Sequence, residues 1–170
     1  MKSIAAGYNW LVNALAVLSA VTIAVAFVLI IVDVTVRTLG FSPPSYTIAV
    51  VEYALLYMTM FAAPYLVRQK GHVFVDALTS RLPRSVERIC AKFAYLLSIV
   101  VSLIFAWFAV ELFVQSIQMN LYDERGIDMP MWSLYLPIPI GFVFVALEFT
   151  RYLIGKDTMY TDRTKPRDSV

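Results

Sequence analysis

The chain has 170 residues, 60% of them hydrophobic, a mean hydropathy of +0.72 and a formal net charge of +2. Soluble domains are about 45–50% apolar, so this composition excludes an ordinary water-soluble domain, and no nucleic-acid partner is expected. Cys90 is the single cysteine, which excludes an internal disulfide or a thiolate metal cluster and leaves it a packing role.

Four apolar stretches run from Leu11 to Val32, Ile48 to Val67, Phe93 to Val110 and Met131 to Leu147, and Glu52 is the only acid inside them. About 20 apolar residues cross a ~30 Å hydrocarbon layer. The expected fold is therefore an all-α integral membrane protein with four transmembrane helices, a membrane domain over 1–155 and a polar tail over 156–170.

The first span is expected at about 10–34. Lys2 before Ala24-Val25-Ala26 resembles a signal peptide, but a cleavable apolar core is ~7–15 residues, and this run continues to Val32. It reads as an uncleaved span, and Ala14, Ala16, Ser19, Ala20, Ala24 and Ala26 would let a second helix approach closely. The second span, about 47–68, carries Glu52 roughly two turns from its outer end. Glu52 has three readings: a salt bridge with Arg37, a contact with a partner subunit, or a coupling carboxylate.

Between spans two and three, Phe74, Val75, Leu78 and Leu82 fall near one helical face, with Asp76, Thr79 and Arg81 on others. That pattern predicts an amphipathic helix over about 72–82 lying in the interface plane; an ordinary basic loop is the alternative. His72 beside Arg68 and Lys70 suits contact with lipid phosphates.

The third span is expected at about 88–114, with Glu111 near its outer end, and the fourth at about 131–153. Trp132 and Tyr135 suit an interfacial anchor. Pro137 and Pro139 should kink the fourth span or loosen its first turns, freeing carbonyls for another chain unless the bend is purely local. Glu148 and Arg151 share a helix face near its inner end.

Twelve Lys and Arg residues fall at the termini and in the middle connection, against Arg37 and Arg125 in the other two loops. The richer side of a membrane protein is cytoplasmic, so both termini are expected there. No ionisable residue reaches the midplane, which argues against a small proton-coupled exporter. His72 is the only histidine, so an intramembrane haem or metalloprotease site is not expected. No catalytic residue, metal ligand or cofactor site emerges.

Glu52-Tyr53-Ala54-Leu55-Leu56, then Arg68, Gly71-His72-Val73-Phe74-Val75-Asp76 and Arg81-Leu82-Pro83, followed by Met129-Pro130-Met131-Trp132 and Tyr135-Leu136-Pro137-Ile138-Pro139-Ile140-Gly141-Phe142 ending at Glu148, resemble the small membrane subunit of tripartite ATP-independent periplasmic (TRAP) transporters. The chain departs from the family's pattern at the start of span two. Tyr46 and the single Glu52 stand where a tryptophan and paired acids are often found, and Ala62 and Ala63 where glycine is common.

The resemblance implies a sodium-driven uptake system for an organic acid, such as a C4-dicarboxylate or sialic acid, in the bacterial inner membrane. Its implied partners are a large multi-span membrane subunit, which carries substrate and sodium, and a periplasmic substrate-binding protein. Docking of the binding protein is expected on Arg37, Ser42, Pro43, Tyr46, Glu52, Asp123, Glu124, Asp128, Trp132 and Tyr135. Contact with membrane phospholipids or the large subunit is expected at Arg68, His72, Asp76, Arg81 and Arg84. The competing readings are a stand-alone homo-oligomeric four-helix transporter and a non-transport membrane assembly protein.

Overall fold

The computed structural model describes residues 2–42, 44–69, 84–124 and 128–155. The interfacial helix expected over 72–82, and with it His72, Asp76 and Arg81, lies outside them, as do Pro43 and the tail over 156–170. Helix α1 spans Lys2–Thr38, α2 Thr47–Arg68 and α3 Arg84–Gln118; α4, Met131–Tyr135, runs into α5, Pro137–Ile154. All four expected spans are helices long and apolar enough to cross a membrane, the fourth formed by α4 and α5 together.

Chain chemistry sets the helix ends. After α1, Gly40 adopts a left-handed backbone, φ 83°, while the Gly40 and Phe41 amides donate to the carbonyls of Arg37 and Val36. After α3, Asn120 does the same at φ 47°, with its amide on Ile117 and that of Leu121 on Ser116. Both are Schellman closures, which satisfy carbonyls left over at a helix end. Between α3 and α4, strands β1 (Tyr122–Asp123) and β2 (Met129–Pro130) pair antiparallel, Tyr122 opposite Pro130 and Asp123 opposite Met129.

The helices pack as an open row in the order α1, α2, α5, α3, with no sustained contact between α1 and α3. Each end helix is held by one seam. On α1 the covered residues include Val12, Leu15, Ser19, Thr22, Ala26, Leu29, Asp33 and Val36, a heptad-spaced row flanked by the partly covered Ala14 and Ala16. On α3 they include Ala91, Tyr95, Ser102, Ala106, Ala109 and Ser116. Small residues dominate the α3 seam, and Ser19 and Ala26 punctuate the larger side chains of the α1 seam, because helices in lipid associate through close backbone approach rather than a hydrophobic drive. The remaining surface is largely apolar and uncovered, Trp10 and Phe27 on α1 and Phe93 and Trp107 on α3 among the most exposed.

With 37 and 35 residues, α1 and α3 are about 55 and 52 Å long at ~1.5 Å per residue. They run well past a ~30 Å hydrocarbon layer or cross it at a slant. The central pair, α2 and α5, meets closely at one point. Pro64 has no amide hydrogen to offer the Met60 carbonyl, and Gly141 of α5 lies against that oxygen: a Cβ on Gly141 would stand 2.8 Å from it.

The prolines of span four do less than expected. Leu136, between α4 and α5, keeps right-handed helical geometry, and its amide donates to the Trp132 carbonyl at 3.0 Å. Pro137 cannot donate to the Ser133 carbonyl one turn earlier. The hydroxyl of Tyr57 on α2 takes that place at 2.6 Å. Of the carbonyls expected to be free for another chain, that of Ser133 is thus satisfied within this one.

Candidate functional site

At one end of the row, α1 begins, α2 ends, α3 begins and α5 ends. Most of the described basic residues gather here, and we call it the basic end. Arg68, the last residue of α2, reaches to Glu148 on α5, Nε donating to Oε1 at 3.0 Å and Nη2 to the same oxygen. Arg151, one turn further along α5, donates from Nη1 to Glu148 Oε2 at 3.3 Å. Glu148 is only 2% exposed, against 20% for Arg68 and 52% for Arg151. A carboxylate this deep is tolerable because two guanidinium groups share it; stripped of partners it would carry a penalty of several kcal/mol.

Two residues of α1 complete the cluster. The Tyr8 ring centroid lies 5.5 Å from the Arg68 guanidinium carbon and 5.6 Å from that of Arg151, within cation–π range. Asn9 accepts from Arg68 through its carbonyl at 3.5 Å and from Arg151 through Oδ1 at 3.4 Å. Beneath the cluster, Val67, Ala91 and Tyr95 form a core against Val145, Phe149, Tyr152 and Leu153. The Tyr152 hydroxyl donates to the Arg68 carbonyl at 2.9 Å, satisfying a terminal carbonyl of α2. The result is a lock across α1, α2 and α5, bordered by an open cleft of about 660 Å³.

Of the residues expected to face lipid or a large subunit here, Arg68 is thus engaged inside the chain. Arg84 begins α3, and its side chain, like His72, Asp76 and Arg81, lies outside what is described. Sequence reading had placed Glu148 and Arg151 on one helix face. It missed their convergence with Arg68 and Tyr8, because 80 residues separate Arg68 from Glu148 and only helix packing joins them.

The opposite, hairpin end gathers most of the residues expected to dock a binding protein. Ser42, Tyr46, Glu52, Glu124, Asp128 and Trp132 are exposed and Tyr135 is half-buried. Arg37 is exposed and pairs with Asp33, one turn earlier on α1, at 3.0 Å. Asp123 differs from its expected place on the surface. It is 5% exposed, and the Tyr53 hydroxyl of α2 donates to its Oδ2 at 3.3 Å, fastening the β-hairpin to α2. Strand pairing explains this: adjacent residues alternate sides, so with Tyr122 outward Asp123 turns in.

Among the described residues, no cluster of three or more His, Cys, Asp or Glu side chains is arranged to hold a metal ion. Glu111 sits on the uncovered face of α3 with Trp107, Gln115 and Gln118, facing away from the other helices.

Comparison with known proteins adds an identification. No curated protein matches the chain. Residues 26–156, more than three-quarters of its length, match the family described as tripartite ATP-independent periplasmic transporters, DctQ component. Four apolar helices, short connections and the match together give the conclusion: the chain belongs to the DctQ family, the small membrane subunits of TRAP transporters.

Proposed function

We propose that this subunit is a stationary brace in a sodium-driven importer of an organic acid, a carboxylate such as a C4-dicarboxylate or sialic acid, in the bacterial inner membrane. Both termini are cytoplasmic in this reading, as the positive-inside asymmetry requires, so the hairpin end faces the periplasm. The large membrane subunit carries the substrate and the sodium ions. The small subunit packs along that partner's fixed part and helps seat the loaded binding protein.

The observation that carries this reading is the open row. Among the described residues the four spans lie side by side and enclose no passage, and α1 and α3 each leave a long apolar flank uncovered. The buried carboxylates Glu148 and Asp123 are each committed to a side chain of the same subunit. Such a molecule is suited to being covered by a larger neighbour rather than to moving a solute through its own middle.

For docking, the reading uses the exposed Arg37, Ser42, Tyr46, Glu52, Glu124, Asp128 and Trp132 with Tyr135 at the border and Pro43 in the same loop, while Asp123 holds the hairpin in place. Rim charges of this kind govern encounter rate and salt dependence. Reversing Arg37 and Glu124 together is expected to lower binding-protein affinity several-fold while the large subunit still co-purifies. Unchanged affinity and uptake would reject the docking assignment.

A further inference from the structure

The cleft at the basic end has a feature the brace does not use. Its floor is polar, formed by Arg68, Glu148 and Arg151 beside the Tyr8 ring, and its flank is apolar, formed by Leu147 and Ile154, which are 45% and 80% exposed. Among the described residues two guanidinium groups meet one carboxylate here, so one positive charge is formally unmatched. Among the described residues every hydrogen bond of Arg151 leaves from Nη1, to Asn9 and Glu148, so its Nη2 and Nε donors stay available. A volume of about 660 Å³ lies within the ~300–1,000 Å³ usual for ligand sites.

We propose that this cleft seats the phosphodiester of an anionic membrane lipid, held by the outer donors of Arg151, with its acyl chains running toward the bilayer centre along Leu147 and its glycerol region beside Ile154. Arginine suits the role because its planar fork pairs with two phosphate oxygens at once. Basic pockets between spanning helices on the cytoplasmic side are natural seats for such head groups. The Glu148 carboxylate opposes an anion, but it is turned to Arg68 and to Nη1 of Arg151, which leaves the exposed side of the Arg151 guanidinium to the ligand. The apolar flank favours an amphiphile over free phosphate, which would gain nothing from Leu147 or Ile154. Tyr8 and Asn9 precede the residues that the family model matches, so α1 builds part of this cleft outside the matched region. The leaflet assigned to the lipid rests on the cytoplasmic placement of the termini proposed above.

The test is native mass spectrometry on the subunit purified together with its large membrane partner. Phosphatidylglycerol is titrated against diacylglycerol of the same chains, with millimolar inorganic phosphate as competitor. The wild type is expected to hold phosphatidylglycerol at least about tenfold more tightly than diacylglycerol, and Arg151→Gln to lose about tenfold, the loss expected for a charge-assisted contact. Arg151→Lys, which keeps the charge but not the planar fork, should lose less than Arg151→Gln. Undiminished lipid binding by Arg151→Gln would overturn the site, and an equal loss in Arg151→Lys would overturn the charge-based account. Displacement by inorganic phosphate would overturn the lipid assignment. Co-purification of the large subunit, read in the same samples, reports separately on the proposed function.

Discussion

The Tyr57 hydroxyl lies 2.6 Å from the Ser133 carbonyl, on the oxygen that Pro137 leaves without its helical donor. The contact fastens α2 to the first turn of the fourth span and supplies the donor that the proline ring lacks.

Tyr57→Phe is therefore expected to lower the unfolding free energy by about 1–2 kcal/mol, near the upper end for hydrogen bonds between spanning helices. Denaturant titration in mixed micelles measures it. Tyr65→Phe is the control: among the described residues its hydroxyl accepts from the exposed Gln69 side chain alone, and its loss should be close to neutral.

Gly141 permits a close approach between α2 and α5. A methyl group there would stand 2.8 Å from the Met60 carbonyl oxygen and 3.0 Å from the Met60 Cβ, and the first of these is backbone that cannot swing aside. Gly141→Ala should cost about 1–3 kcal/mol, the usual range for overpacking, and should lengthen the α2–α5 distance measured between spin labels on the two helices.

The two arginines on Glu148 are not equivalent. Arg68→Met removes the better-buried partner and leaves Glu148 to a half-exposed one, so a loss of about 3 kcal/mol is expected. Arg151→Met keeps the Arg68 pair and should cost below about 1 kcal/mol. Comparable losses in the two variants, in the same denaturant titration, would show that the lock is shared evenly.

Hydropathy made the four spans legible, because each apolar run matches the bilayer. It did not reveal that α1 continues from Lys2 to Thr38, since beyond the hydrocarbon polar residues such as Asn9 and Thr38 fit a helix as well as a loop. Glu148 and Arg151 could be placed on one face from their spacing alone. Their meeting with Arg68 and Tyr8 could not, because it depends on which helices are neighbours. The same holds for Tyr57: Pro137 announced an orphaned carbonyl, and nothing local told which side chain would reach it. Asp123 looked like a surface acid because its loop is polar, and strand pairing turned it inward.

Glu111 on the uncovered face of α3, with Gln115 and Gln118 one and two turns on, makes a further prediction. A carboxylate turned toward acyl chains costs up to about 2.5–3.5 kcal/mol near the bilayer centre and less toward the interface. Coverage by the large subunit would relieve that cost. A nitroxide at position 111 should be accessible to lipid-phase relaxants in the isolated subunit and protected in the assembled complex.

The most direct measurement of the central claim is substrate uptake by proteoliposomes under an inward sodium gradient, comparing this subunit alone with the subunit plus its large partner and loaded binding protein. Uptake only in the complete assembly is the expected result. Sodium-driven uptake by the isolated subunit would contradict the account.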